Sequence, residues 1–363
     1  MSFPVLAHPE APEVHASTLL LLDQTLLCAW FGGTKEGHGD TKIWLSARDC
    51  GAREDGAQAE ARWTQPVPVA SEEGVPHWNP VLLQSQASGA VFLFYKVGTP
   101  ISSWHTRVIE STDRGRTWSP PRELVPGDRG GRGPVKNKPI VLSDGTIVAP
   151  ASLETPDGRW DCFSDVSRDD GKTWTRSEPV PLDRATWPGE GAIQPSLIAD
   201  GPRTLTMLAR SSSGFVARAD STDGGRTWGP MRTTPLFNNN SGIDALRLGD
   251  GTWLVVHNPV NQNWGPRTPL VVSASRDAGQ TWARIWTLED KPAPAGFTKI
   301  LALDTGIVNN GESEFSYPAI VSDHQGGVWI SYTGWDPEDF MISDRLGPLG
   351  LVISDNRGRR GLR

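Results

Sequence analysis

Short apolar runs separated by tight polar turns recur along the whole chain. Pairs of such runs flank Asp23-Gln24, Ser88-Gly89, Asp144-Gly145, Asp200-Gly201, Asp250-Gly251 and Gln325-Gly326. Each pair predicts a β-hairpin, and Asp-Gly is the strongest form of the signal because both turn residues tolerate positive φ. Within one unit the pattern predicts strands over Lys136–Leu142, Thr146–Ser152, Trp160–Ser167 and Trp174–Val180. Little helix is expected.

A second element follows most of these hairpins. The phrases Ser-Thr-Asp-Arg-Gly-Arg-Thr-Trp (111–118), Ser-Arg-Asp-Asp-Gly-Lys-Thr-Trp (167–174), Ser-Thr-Asp-Gly-Gly-Arg-Thr-Trp (221–228) and Ser-Arg-Asp-Ala-Gly-Gln-Thr-Trp (275–282) are near-copies of one another. Their aspartates, Asp113, Asp169, Asp223 and Asp277, recur about every 55 residues, a spacing typical of repeat architectures. Ser and Asp cap backbone N–H groups in a turn, Gly takes the positive φ, and Trp packs as the next strand begins. Trp118, Trp174, Trp228 and Trp282 are therefore expected to be largely buried. The phrase is degenerate in the first unit, where Ser46, Asp49 and Gly51 precede an insertion before Trp63, and in the last, at Ser354–Gly358.

Two hairpins per unit make four antiparallel strands, and six such units predict an all-β, six-bladed β-propeller. The last unit lacks a clear fourth strand, which Phe3–Ala7 could supply, closing one domain over residues 1–363. The 39 Gly, 30 Pro and 16 Trp suit many short strands and tight turns. A net charge of −7 with no basic block argues against nucleic acid or an anionic membrane as partner. Cys28, Cys50 and Cys162 give no disulfide or zinc spacing, the histidines no ligand spacing, and no cofactor or metal is expected. The N-terminus lacks the basic start and apolar run of a signal peptide, so a cytoplasmic location is the expectation.

Strand direction separates two faces. The repeated turns fall at one end, and the starts of the first strands fall at the other. At those starts stand His15, then His77 and Asn79, then Asn137 and Lys138, then Gln194, Asp244 and Tyr317. Polar groups at one register in every unit are costly near an axis unless something binds them. The same end collects Glu36 and Asp40 from a Gly-rich loop, Lys96, Trp104 and His105, and the arginines Arg210 and Arg267. Two guanidinium groups over one depression suit a carboxylate.

The repeated phrase resembles the Asp-box, or bacterial neuraminidase repeat, and the chain resembles the sialidase-like propeller superfamily. Matching segments include Val14-His-Ala-Ser-Thr-Leu, His77-Trp-Asn-Pro-Val-Leu, Gln194-Pro-Ser, Asn240-Ser-Gly-Ile-Asp and Ser316-Tyr-Pro-Ala. The resemblance implies Arg210 and Arg267 as two of three carboxylate-binding arginines, Asp40 as acid/base with Glu36 as the fallback, and Tyr317 as nucleophile. Three positions depart from the pattern. His15 stands for the first arginine and is expected to be partly cationic near neutral pH. Gln194 stands for the glutamate that activates the tyrosine, leaving Glu190 or Asp244 as the base. Phe315 stands where the tyrosine is expected, with Tyr317 two residues on and on the same strand face.

These residues imply a glycoside hydrolase acting on a terminal acidic sugar. His15, Glu36, His77, Asn79, Lys96, Asn137, Lys138, Gln194 and Asp244 would then orient the substrate beside the arginines. A polysaccharide lyase acting on a uronic acid and a non-catalytic carbohydrate-binding propeller are the alternatives from the same residues.

Overall fold

The computed structural model describes residues 8–50, 63–290, 313–323, 327–335 and 350–355. They form five four-stranded antiparallel sheets and one of three strands. The first sheet holds Glu13–Leu22, Thr25–Gly33, Lys42–Asp49 and Val67–Ala70; the second His77–Gln84, Val91–Val97, His105–Ser111 and Arg122–Glu123. The third holds Ile140–Val141, Ile147–Glu154, Trp160–Ser167 and Thr175–Arg176; the fourth Ala192–Ala199, Leu205–Ser211, Phe215–Ser221 and Arg232–Phe237. The fifth holds Asp244–Arg247, Trp253–His257, Leu270–Ser275 and Ala283–Glu289, and the sixth Glu314–Ser322, Val328–Trp335 and Gly350–Asp355. The first strand of the sixth sheet lies beside that of the first sheet, and the four-stranded sheets are the blades of a propeller. Phe3–Ala7 and the Gln325-Gly326 turn lie outside the described residues.

Apolar side chains from facing blades fill the spaces between them. Val256, Val272, Phe315, Ile330 and Tyr332 form one such layer between the fifth and sixth sheets. Leu19, Leu26, Trp44, Ala319 and Trp329 form another between the sixth and first. Each fully buried side chain of this kind contributes about 1.5–3 kcal/mol. The third blade has a shorter first strand than the alternation predicts. Lys136 takes φ 66°, and only Ile140–Val141 remain in the ladder.

The repeated phrases fold alike. Oδ1 of Asp113 accepts the backbone N–H groups of Arg116 (3.0 Å) and Thr117 (2.8 Å), and Oδ2 accepts the Thr117 hydroxyl (2.6 Å). Ser111 Oγ accepts the N–H of Gly115 at 2.8 Å. Asp223 and Asp277 repeat these bonds. Of the four tryptophans only Trp228 is buried; the other three are half-buried, with Trp174 and Trp282 donating their indole N–H to the Gly171 and Gly279 carbonyls of their own turns. These turns share an end with the first hairpins: Arg114 reaches Asp23 at 2.7 Å, and Ser85 donates to Asp170 at 2.6 Å. The starts of the first strands therefore face the opposite end.

At that opposite end one feature recurs. A single non-glycine residue with left-handed φ stands at or just before each first strand: Ala16 (50°), Asn79 (44°), Lys136 (66°), Gln194 (52°), Asn240 (60°) and Tyr317 (50°). In four blades it coincides with a slip of ladder register, between His15 and Thr18, Trp78 and Val81, Ile193 and Ser196, and Ser316 and Ala319. A bulge of this kind breaks the strict alternation of faces and re-aims a side chain. Backbone in this region costs about 1–3 kcal/mol per residue and gathers at functional sites.

Candidate functional site

Three of the left-handed residues converge on one arginine. Arg210, near the end of the second strand of the fourth blade, is 3% exposed. Its Nε donates to Asn240 Oδ1 at 2.7 Å, and its Nη1 donates to Gln194 Oε1 at 3.3 Å and to the Tyr317 hydroxyl at 2.6 Å. Trp160 and Trp264 approach the guanidinium at 5.3 and 5.1 Å. With Nε and Nη1 engaged in this way, Nη2 is left with no hydrogen-bond partner among the described residues.

Arg267 approaches Tyr317 from another side, its guanidinium 5.4 Å from the ring. Nη1 donates to Glu314 Oε1 at 2.5 Å and to Ser316 Oγ at 3.3 Å. Burial works against its charge, but Glu314 and the Tyr317 oxygen more than offset this, and its pKa is raised. Glu314 is buried as well. Desolvation opposes its ionisation, and Arg267, with the Ser316 hydroxyl, overcomes it, so the carboxyl stays below its usual range.

His15 packs its ring 4.1 Å from that of Tyr317. Burial holds the imidazole down to about 3, and Arg267, Arg210 and Lys136 add to the effect against the pull of Glu314. The partly cationic histidine expected from sequence is thus a neutral one, with Nδ1 buried and unbonded. Tyr317 faces this cluster, while Phe315 packs into the layer between blades against Tyr332.

The Gly-rich loop separates its two carboxylates. Glu36 is half-buried, and burial pushes its carboxyl up to about 7, with Glu314 and Glu13 supporting the shift and Arg267 and Arg210 opposing it. Asp40 is exposed, and its Oδ2 closes the loop by accepting the N–H of Thr34 at 3.0 Å.

Most of the remaining sequence candidates are held by the protein itself. Lys96 is buried and gives its ammonium to the carbonyls of Gly131 (2.8 Å), Arg132 (2.9 Å) and Gly133 (3.4 Å), which uses all three hydrogens. Lys138 pairs with Asp244, whose oxygens also accept from Ser196 Oγ and the N–H of Ile320, both at 2.9 Å. Asn137 donates to Gln194 O at 2.9 Å. His77 bonds the Val75 carbonyl and stacks on Tyr95. Glu190 engages neighbours through its carbonyl, and no hydrogen bond joins it to Tyr317. Asn79 is buried with no hydrogen bond to its amide among the described residues.

The structure therefore brings together His15, Glu36, Gln194, Arg210, Arg267 and Tyr317. Sequence reasoning missed Glu314, Asn240, Trp160 and Lys136. Glu314 carried a usable signal: it lies two residues before Ser316 on one strand face, a charge at the mouth of an apolar run.

The model of the BNR repeat-like domain matches residues 24–330. A sialidase of Clostridium perfringens is 30% identical over 164 residues, 40% of this chain and 40% of the relative. The chain thus spans about two-fifths of the length of that relative. A Hadza microbial sialidase superposes with TM-score 0.72 at 16% identity over 98% of this chain and 69% of the other. A Dyadobacter fermentans protein of unknown function superposes with TM-score 0.69 at 16% identity, covering 98% and 97%. At such identities the structural likeness concerns the fold.

Proposed function

Because the chain belongs to the BNR repeat-like domain family, we propose that it is a sialidase-like exo-glycosidase acting on a terminal acidic sugar such as sialic acid. One observation carries the reading: two buried arginines, Arg210 and Arg267, flank the same tyrosine from different blades. The sugar carboxylate accepts hydrogen bonds from the free guanidinium nitrogens, replacing water with charge-assisted bonds. Tyr317 then sits beside the anomeric carbon. Glu36 in its neutral form gives its proton to the glycosidic oxygen as the C–O bond breaks, and the tyrosine oxygen stabilises the positive charge on the sugar. Water adds to the anomeric carbon and returns a proton to the Glu36 carboxylate. Gln194 has no proton-accepting carboxylate, so its part is to hold Arg210. His15, being neutral, leaves the carboxylate to two guanidinium groups.

The three-stranded sheet completes this reading as the sixth blade of a closed ring, one domain over residues 1–363. Removing residues 1–7 should then lower the melting temperature; an unchanged transition would show that they close nothing.

The test is release of a fluorescent phenol from an aryl α-sialoside, set against neutral aryl glycosides. Turnover of the sialoside should fall steeply in Arg210→Ala and Arg267→Ala, each costing about 2–5 kcal/mol as a truncated buried charge contact. Equal turnover of neutral glycosides, or arginine variants as active as the parent, would sink the acidic-sugar assignment.

A further inference from the structure

Lys136 occupies the left-handed position of the third blade, equivalent to Gln194 and Tyr317 in theirs. Unlike them it reaches neither Arg210 nor Arg267. Its side chain is buried, and its ammonium donates to Asn137 Oδ1 (3.0 Å), to the carbonyl of Ile243 (2.8 Å) and to the carbonyl of Pro318. Three hydrogens meet three acceptors, one in its own blade, one in the fifth and one in the sixth. The acceptor in the sixth belongs to the residue directly after Tyr317.

A second contact leads to the same tyrosine. Gly242, beside Ile243, lies between Lys136 and Tyr317. A Cβ there would stand 3.2 Å from Lys136 Cε and 3.3 Å from Tyr317 Cγ and Cδ1. The lysine stem, the bare glycine and the tyrosine ring are packed in series. Tyr317 is held at φ 50°, a conformation a tyrosine does not adopt unless its neighbours impose it.

We propose that Lys136 is a positioning residue for Tyr317: its ammonium pins the peptide that follows the tyrosine and thereby fixes the phenol beside Arg210. The ammonium never touches substrate. It converts the strained bulge of the sixth blade into a single conformation by tying it to two other blades across the axis. The kinetic consequence rests on the sialidase-like reading; the structural one does not.

The chain has three tyrosines, Tyr95, Tyr317 and Tyr332, so protein labelled with 3-fluorotyrosine gives three ¹⁹F resonances. Tyr317→Phe assigns one of them. In Lys136→Met the Tyr317 resonance should shift or broaden while those of Tyr95 and Tyr332 stay in place. On an aryl sialoside, kcat should fall on the order of 10- to 100-fold, the scale of a misplaced catalytic group, with KM within about twofold. Lys136→Arg should move the same resonance, since a planar guanidinium does not present three hydrogens in the ammonium's arrangement. It also carries the test if Lys136→Met does not fold. An unmoved Tyr317 resonance in a folded variant overturns the proposal, as does a common shift of all three, which marks general loosening. Absence of sialoside turnover in the parent protein removes the proposed function and leaves the resonance test standing.

Discussion

At the scale of single residues, the loop between the second and third strands of the first blade poses the sharpest question. Asp40 and Glu36 are four residues apart, yet one is spent on the Thr34 N–H in solvent and the other stands in the field of Arg267 and Glu314. A carboxyl held near 7 is protonated in a large fraction of molecules at neutral pH, which a general acid requires. Glu36→Gln should therefore lose far more activity on an alkyl sialoside, whose leaving group needs the proton, than on an activated aryl one. Asp40→Asn should lose alike on both, through the loop. For the parent, kcat on the alkyl substrate should decline as pH rises through about 7. A larger selective loss in Asp40→Asn would reverse the two roles. The charge also has a cost: Glu36 binds its proton more tightly folded than unfolded, so its contribution to stability shrinks as pH climbs from the ordinary glutamate range toward 7.

At the scale of elements, the Asp-box turn works as a unit whose parts are interchangeable among blades. Asp223→Ala removes one acceptor for two N–H groups and a hydroxyl, and should lower stability by about 1 kcal/mol, as loss of a cap does. Turnover at a temperature where the variant remains folded should be unchanged, because the turn lies at the end away from Arg210. A variant that melted normally but lost activity would invert the two faces. Hydrogen bonds from the following threonine hold Asp113, Asp169 and Asp277 down to about 2. Their support for the fold is complete above the ordinary aspartate range and disappears as pH falls toward 2, so acid unfolding followed by circular dichroism should steepen in that window. These elements were legible in the chain because period-two alternation, Asp-Gly turns and the repeated phrase are local signals; Trp160–Ser167 was placed to the residue. The site was legible in part. Arg210 was found because a charge ends an apolar run, Tyr317 because a phenol precedes one, and Arg267 because strand direction puts it at the same end. Lys138 and Asp244 precede runs and Lys96 falls within one, and only three-dimensional neighbours reveal that a carboxylate, an ammonium and carbonyl groups already satisfy them. Glu314 and Lys136 were missed because their importance lies in contacts about 50 and 180 residues distant, which no local pattern encodes.

At the scale of the whole molecule, Asp244 ties several blades at the axis. From the fifth blade it accepts from Lys138 beside the third, from Ser196 in the fourth and from the Ile320 N–H in the sixth. Burial alone would raise its pKa, but Lys138 and Lys136 outweigh that and keep it lowered. Asp244→Ala leaves Lys138 without its partner and two donors unmatched, and should cost about 3–5 kcal/mol in urea unfolding. A loss under about 1 kcal/mol would show that the blades hold together without it. The left-handed residues at the mouths of the blades have a wider consequence. Ala16, Asn79, Lys136, Gln194, Asn240 and Tyr317 share one backbone address yet range from a methyl group through carboxamides to an ammonium and a phenol. The scaffold specifies the address and leaves the letter open, excluding chiefly the β-branched residues that positive φ forbids. New specificity is then reachable by rewriting one letter at a time, with no insertion and no change of register.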